Sequence, residues 1–217
     1  MNVAVVVFPG SNCEHDVVHA VRLLGGDAEA VWHKDTDLSG ADAVVLPGGF
    51  AHGDALRTGA IARLSPIMQS VRTMADSGAP VLGICNGFQI LCEAGILPGA
   101  FIANRDLAFI CRMIDVEVTD TNTMLTSGAQ IGQRLRIPLN SYEGNWVDPT
   151  HTGRVVVRYT DDPNGSQDHA AAVANPAGNV VGIMPHPERA TEQLLGSVDG
   201  RVLLESFLAS VPSASHV

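Results

Sequence analysis

Residues 81–89 read VLGICNGFQ, and this stretch decides the fold. The apolar run from Pro80 to Ile84 predicts a buried strand, and the residues after Cys85 predict a helix over 87–94 that ends at Gly95. A strand that enters a helix through a nucleophilic residue flanked by glycines predicts a strained elbow with an exposed nucleophile. The helix N-terminus would favour the thiolate of this cysteine. The alternative is an ordinary buried cysteine, the usual state of a free thiol.

The elbow lies within an alternation of strand-like and helix-like segments. We predict strands at 3–8, 28–32 and 43–46, a helix over 14–24, and helical spacing from 59 to 76. This alternation is typical of a parallel sheet covered by helices. From about residue 104 the segments become shorter. The second half therefore predicts a mixed or antiparallel extension, with strands at 109–118, 134–139, 155–159, 170–174 and 180–184 and a last helix at 201–210.

Length and composition favour one α/β domain over residues 1–217, with 212–217 a frayed tail. The net charge of −10 disfavours nucleic acid or an anionic membrane as a partner. No apolar run is long enough to span a bilayer, and the start MNVA lacks the basic region of a secretory signal, so we expect a cytoplasmic protein. Four cysteines without a C-x-x-C pair predict reduced thiols and no metal site.

A candidate base for the thiol occurs in residues 184–189, MPHPER. The two prolines favour extended backbone at the residues before them, so His186 and Glu188 should project on the same side. The carboxylate could then hold one imidazole nitrogen while the other faces Cys85. A chance His and Glu in a surface loop is the alternative, and it is less probable beside an elbow cysteine.

A glycine turn, residues 46–50 (LPGGF), follows another predicted parallel strand. Sites in open α/β sheets lie at the carboxyl ends of the strands, where this turn and Cys85 would meet. The backbone N–H groups of Gly49 and Asn86 could form an oxyanion hole for a tetrahedral intermediate. A plain tight turn is the alternative.

The remaining cysteines have weaker cases. Cys92 lies two helical turns after Cys85 and is interpreted as core packing. Cys111 alternates with apolar neighbours and is interpreted as structural. Cys13 follows a strand and could approach the site, although the sequence pairs it with no base.

The motifs G-x-C-x-G-x-Q at residues 83–89, H-P-E at 186–188 and P-G-G at 47–49 resemble the class I (triad) glutamine amidotransferases, over nearly the whole chain. Further stretches resemble one branch of that family, the small glutaminase subunits of phosphoribosylformylglycinamidine synthases. These are FPGSNC at 8–13, GAIAR at 59–63, FICR at 109–112 and NGS at 164–166. The resemblance implies a flavodoxin-like fold.

The resemblance also implies hydrolysis of L-glutamine, with ammonia passed to a large ATP-using synthetase subunit that acts with a small bridging subunit. By the family pattern Cys85 forms a thioester, His186 transfers protons and Glu188 orients His186. Gln89, Gly48 and Phe50 would contact the substrate. No cofactor is expected here, and ATP and Mg²⁺ would belong to the partner, since neither G-x-x-x-x-G-K-[ST] nor G-x-G-x-x-G occurs in the chain.

The sequence departs from the family after Phe50, where AHGDALR lacks two tyrosines of the usual pattern. His52 either fills the lost tyrosine volume, which we favour, or is exposed. Asp54, Arg57 and Arg63 either shape this loop over the glutamine, contact the synthetase or are solvated. Tyr142 replaces a family glycine and puts the local turn in doubt. Two other functions stay open: a triad glutaminase with a different acceptor, and a non-catalytic binding protein of the elbow-cysteine type.

Overall fold

The computed structural model describes residues 2–210, which contain a nine-stranded sheet and a separate two-stranded sheet. The strands in chain order are β1 (Asn2–Val7), β2 (Asp27–Trp32), β3 (Ala43–Leu46), β4 (Val81–Ile84), β5 (Ala100–Ile102), β6 (Ile110–Val118), β7 (Arg134–Ser141), β8 (Asn145–Val147), β9 (Arg154–Tyr159), β10 (Ala170–Ala174) and β11 (Val180–Ile183). The large sheet has the order β2-β1-β3-β4-β11-β10-β9-β6-β7.

The large sheet has a parallel part and an antiparallel part. Strands β2, β1, β3, β4 and β11 are parallel, and β10, β9, β6 and β7 continue the sheet in antiparallel pairs. Every residue of β3, β4 and β11 is buried, as expected for central strands covered on both faces. The predicted fold class, a mostly parallel α/β sheet with an antiparallel extension, is confirmed.

Four α-helices accompany the sheet within residues 2–210: α1 (Glu14–Leu23), α2 (Ile67–Asp76), α3 (Asn86–Glu93) and α4 (Gly200–Ala209). Helix α3 packs on β3, β4 and β11. This packing requires Gly87, because a Cβ there would lie 1.9 Å from the Leu46 carbonyl oxygen. The central strands therefore hold the N-terminus of α3 at their carboxyl edge, where the elbow lies.

The helical spacing predicted from residue 59 to 76 is wrong for its first part. Helix α2 begins at Ile67, and Gly59 instead has a φ of +77°. Ser65 precedes Pro66 and is extended, with ψ 143°, because a proline disfavours helical geometry in the residue before it. Leu64, which lies within the predicted helical segment, is 71% exposed.

Two further differences concern the ends and the small sheet. The pairing of β5 with β8 was not predicted, since each strand has three residues and carries little alternation. The predicted tail at 212–217 lies outside the described residues. Among residues 2–210, no helix combines the length and the apolar character needed to cross a bilayer.

Candidate active site

The elbow has the strained geometry that its sequence predicts. Cys85 caps α3 with φ 51° and ψ −107°, a conformation that L-residues rarely adopt and that costs about 1–3 kcal/mol. A Cβ on Gly83 would lie 2.7 Å from the Gly87 carbonyl oxygen, so a side chain there would force the turn open. The two glycines thus allow the turn that puts the Cys85 sulfur beside the positive end of α3.

His186 and Glu188 form a buried pair just after β11. The imidazole Nδ1 lies 2.7 Å from Glu188 Oε1, and both side chains are almost fully buried. The His186 backbone N–H donates to the Pro138 carbonyl, which fixes the segment against β7. The predicted contact between the two side chains is confirmed, but the extended backbone predicted for it is wrong, because Pro187–Arg189 form a 3₁₀ turn.

The surroundings of His186 favour the imidazolium form. Burial alone would lower the pKa of His186, but the charge of Glu188 and the nearby Cys85 and Cys13 sulfurs hold it well above its ordinary value. A protonated imidazole beside the elbow sulfur is the partner that a reactive thiolate needs.

A cavity of about 470 Å³ opens at the carboxyl edge of the parallel strands, and Cys85 and His186 both line it. Its volume suits a small-molecule ligand. Of the predicted contact residues, Gly49, Phe50 and Gln89 also line the cavity. Gly48 lies behind it, where a Cβ would approach His186 Cε1 to 2.7 Å, Cys13 Sγ to 3.0 Å and Cys85 Cβ to 3.5 Å.

The N–H groups of Gly49 and Asn86 are free to bind an anion. Within residues 2–210, the Gly49 and Asn86 N–H groups donate no hydrogen bond. Gly49 pairs with Ser11 at φ +151°, and a Cβ there would lie 2.7 Å from Ser11 Cα. The Asn86 side chain accepts from the Ala51 N–H, which ties the glycine-turn loop to α3. This geometry is compatible with the predicted oxyanion hole.

An acidic group lies on the same cavity wall as Gln89. Burial, and the nearby charge of Glu143, raise the pKa of Asp54 to about 6. Thr58 donates to Glu143 Oε2, and Gln89 Nε2 donates to the Glu143 carbonyl at 2.6 Å. Asp54, Glu143, Thr58 and Gln89 all line the cavity. The wall therefore offers negative charge and hydrogen-bond acceptors.

Sequence reasoning assigned no role to two residues that the fold brings to this cavity. Cys13 and Arg189 both line it, and Arg189 Nη2 lies 3.2 Å from Cys13 Sγ. Arg189 is also paired with Asp16 at 2.9 Å. Cys13 ends the motif FPGSNC and Arg189 ends the motif MPHPER. Neither motif indicates that these two residues are in contact.

The structure also locates the residues that depart from the family pattern and the cysteines outside the elbow. His52 is half-buried and packs edge-on against His33, with ring centroids 5.3 Å apart, so it fills interior volume as we favoured. Tyr142 does not adopt a positive φ. Cys92 is buried as predicted, whereas the interpretation of Cys111 as structural is wrong, because it is exposed on β6.

A parallel α/β sheet, a strained cysteine elbow and a buried His–Glu pair on one cavity define a triad amidotransferase type of site. The sequence profile of the CobB/CobQ-like glutamine amidotransferase domain matches residues 1–202. The chain belongs to this family.

Individual relatives are similar to this chain over nearly their whole length. The phosphoribosylformylglycinamidine synthase subunit PurQ of Rubrobacter xylanophilus is 50% identical, covering 96% of this chain and 98% of the relative. PurQ of Chlorobaculum tepidum is 48% identical over 99% of both chains. Among solved structures, a chain of PurLQS from Thermotoga maritima superposes with a TM-score of 0.94 at 41% identity, covering 97% of this chain and 99% of that one.

Gly48→Ala is expected to lower kcat/KM for glutamine by about 10²-fold, the cost of misplacing a catalytic group by about 1 Å. The new methyl would push against His186 and Cys13, although Gly48 has no positive φ and its backbone accepts alanine. The matched control is Gly40→Ala, where a Cβ has no neighbour within 4 Å. Steady-state glutamine hydrolysis, with thermal melts to confirm folding, measures both. Full activity in Gly48→Ala would contradict this close packing.

Proposed function

We propose that this chain is the glutaminase subunit of a phosphoribosylformylglycinamidine synthase. It hydrolyses L-glutamine and supplies ammonia to a synthetase subunit, which converts formylglycinamide ribonucleotide to formylglycinamidine ribonucleotide in purine biosynthesis. The observation that carries the proposal is the meeting of Cys85 with the buried His186–Glu188 pair on one cavity. The identity of about half of all residues with PurQ relatives supports the choice of acceptor.

The first half of the reaction forms a thioester. The Cys85 thiolate attacks the carboxamide carbon of glutamine, and the Gly49 and Asn86 N–H groups stabilise the oxyanion. His186 gives its Nε2 proton to the leaving nitrogen, so the C–N bond breaks and ammonia departs. Glu188 accepts the hydrogen bond from Nδ1, which fixes the ring orientation.

The second half restores the thiolate. Neutral His186 takes a proton from a water molecule, which attacks the thioester carbon, and the same N–H groups stabilise the second oxyanion. The C–S bond then breaks, and glutamate is released. His186 is again an imidazolium beside the Cys85 thiolate, so the cycle balances one water consumed against one ammonia and one glutamate formed.

We propose that Asp54 and Gln89 bind the amino-acid end of glutamine. An ionised carboxylate attracts the α-ammonium group, and Gln89, whose amide is held by Asn86 Nδ2 and the Glu143 carbonyl, lines the same cavity. Phe50 forms an apolar side of the same cavity. Gly48 contributes through the close packing of the triad.

Asp54→Asn is expected to raise KM for glutamine with a smaller change in kcat, and to flatten the acidic side of the kcat/KM profile. In the parent, Asp54 becomes protonated as the pH falls through about 6, so glutamine binding weakens there. Because the pKa is raised in the folded state, the ionised carboxylate also disfavours folding above that pH. The variant should therefore melt at a higher temperature at pH 8. An unchanged KM and acidic limb would remove Asp54 from the substrate site.

The partners follow from the reaction and from the relatives. A large synthetase subunit and a small bridging subunit complete the assembly, and ATP and Mg²⁺ bind on the partner, because this chain contains no phosphate-binding glycine motif. The chain carries no cofactor in this proposal and is one domain throughout. A cytoplasmic location completes the proposal, in keeping with reduced Cys13, Cys85, Cys92 and Cys111.

The decisive experiment combines this chain with purified candidate synthetases, with and without the small subunit. Glutamine-dependent formation of the amidine is expected with the formylglycinamide ribonucleotide synthetase, and slow glutamine hydrolysis with this chain alone. Turnover with another ATP-dependent amidating synthetase would instead support the same triad with a different acceptor. If a glutamine-analogue electrophile failed to label Cys85, the non-catalytic binding function would be favoured.

A further inference from the structure

Cys13 places a second thiol beside the His186–Glu188 pair. One ligand atom from each of Cys13, His186 and Glu188 lies within 4.8 Å of the other two, and all three residues are buried. Cys13 follows β1, whereas the pair follows β11, so the fold builds this cluster from distant parts of the chain. The cycle described above makes no use of the Cys13 sulfur.

Two atoms of this cluster have unmet bonding capacity. Among residues 2–210, His186 Nε2 and Glu188 Oε2 are buried and have no hydrogen-bond partner. Cys13, Cys85 and His186 converge on Gly48, where a Cβ would lie 3.0 Å from Cys13 Sγ, 3.5 Å from Cys85 Cβ and 2.7 Å from His186 Cε1. His186 Nε2, once it has released its proton, and two nearby sulfurs that line the same cavity are a donor set for a soft or borderline cation.

We propose that Cys13 Sγ, Cys85 Sγ and His186 Nε2 bind one Zn²⁺, with water from the cavity as the fourth ligand. This inference goes beyond the glutaminase function, because it assigns a metal site to the same cavity. Zinc binding releases the ligands' protons to solvent and occupies both the nucleophile and the base. Bound Zn²⁺ therefore inhibits the glutaminase.

The surrounding residues fit this metal. Sulfur and imidazole nitrogen are the usual ligands of Zn²⁺, and three protein ligands with one water is a common set. The Glu188 carboxylate accepts from His186 Nδ1, and a carboxylate in this position typically orients a zinc-bound histidine. Arg189 Nη2 donates to Cys13 Sγ at 3.2 Å, and its guanidinium is also paired with Asp16.

The geometry requires a modest contraction. Bonds of about 2.0–2.3 Å at tetrahedral angles put ligand atoms about 3.5 Å apart. Cys13 and His186, within 4.8 Å, must therefore approach by at most about 1 Å. Cys85 must turn towards them, so its sulfur leaves the Asn140 carbonyl, which lies 3.5 Å away.

The test is calorimetric titration of the full chain with ZnCl₂ in thiol-free buffer, paired with Co²⁺ absorption spectra. One Zn²⁺ per chain and a thiolate-to-Co²⁺ charge-transfer band are expected. Cys13→Ser and Cys85→Ser should each weaken binding by more than the roughly 10–100-fold expected for Glu188→Gln, which removes the carboxylate behind the histidine. Cys111→Ser, which changes the exposed cysteine on β6, is the matched control and should bind like the parent.

Zinc affinity in Cys13→Ser equal to the parent's would overturn the proposal, as would loss of binding in Cys111→Ser. Thermal melts show whether each variant folds. If a cysteine variant does not fold, Glu188→Gln still tests the site, because it keeps every proposed ligand. A chain that supports glutamine-dependent synthesis but binds no Zn²⁺ refutes the metal site alone. Zinc binding without glutamine turnover would refute the proposed function and leave the metal site standing.

Discussion

Cys85→Ala is expected to abolish glutamine-dependent amidine synthesis in the reconstituted complex, with a loss on the order of 10⁴- to 10⁶-fold in turnover. The variant removes the sulfur that forms the thioester but leaves the cavity and the His186–Glu188 pair. Synthesis from added ammonium salts should continue at the parental rate, because that route bypasses this subunit. Both rates are measured by following the nucleotide product at saturating ATP.

The matched control for Cys85→Ala is Cys111→Ala, which removes a thiol from the exposed face of β6 and should leave both rates unchanged. Loss of ammonium-dependent synthesis in Cys85→Ala would mean that the residue supports the complex rather than the thiol chemistry. Persistent glutamine turnover would exclude Cys85 as the nucleophile. These two failures are distinguishable because the ammonium route reports on the synthetase alone.

The parts of the site that sequence could predict are those encoded locally. Cys85 sits between an apolar strand and a helix, with glycines on either side, and this order specifies the elbow without any distant contact. His186 keeps a non-helical backbone before Pro187, and the 3₁₀ turn that Pro187 begins brings Glu188 against the His186 ring. Both features require only the geometry of a few consecutive residues.

The parts that sequence could not predict depend on packing between distant elements. Cys13 and Arg189 meet because the turn after β1 and the segment after β11 reach the same edge of the sheet. Asp54 and Glu143 share a cavity wall because the glycine-turn loop lies beside the turn after β7. No spacing within the sequence encodes such meetings.

The early start predicted for α2 has a related cause. The apolar spacing at Ile61 and Leu64 fits a helix, yet the backbone at Gly59 must pass close to α3, where a Cβ would lie 3.0 Å from Ile90 Cα. Gly59 adopts a positive φ at this close approach. The chain then forms only a short 3₁₀ helix at Ala62–Leu64 and becomes α-helical after Pro66. Tertiary contact here overrides a periodic pattern.

Glu188→Gln is expected to lower kcat by about 10⁴-fold, the typical loss when the carboxylate that orients a catalytic imidazole becomes an amide. The amide keeps the shape of the side chain but cannot stabilise an imidazolium. The pKa of His186 should therefore fall, because the Glu188 charge is one of the interactions that hold it up. Since the thioester-forming step needs the protonated ring, the basic limb of the kcat/KM profile should move to lower pH.

The same substitution should reduce stability in a pH-dependent way. A histidine whose pKa is raised on folding stabilises the protein fully below its unfolded pKa, and this contribution is lost as the pH rises through the folded pKa. The loss in Glu188→Gln should therefore be larger at pH 6 than at high pH, as followed by thermal melts. Glu192→Gln is the matched control, because Glu192 pairs with His19 at the same 2.7 Å but on the surface. An unmoved basic limb in Glu188→Gln, or an equal loss in Glu192→Gln, would mean that the buried carboxylate does not set the protonation of His186.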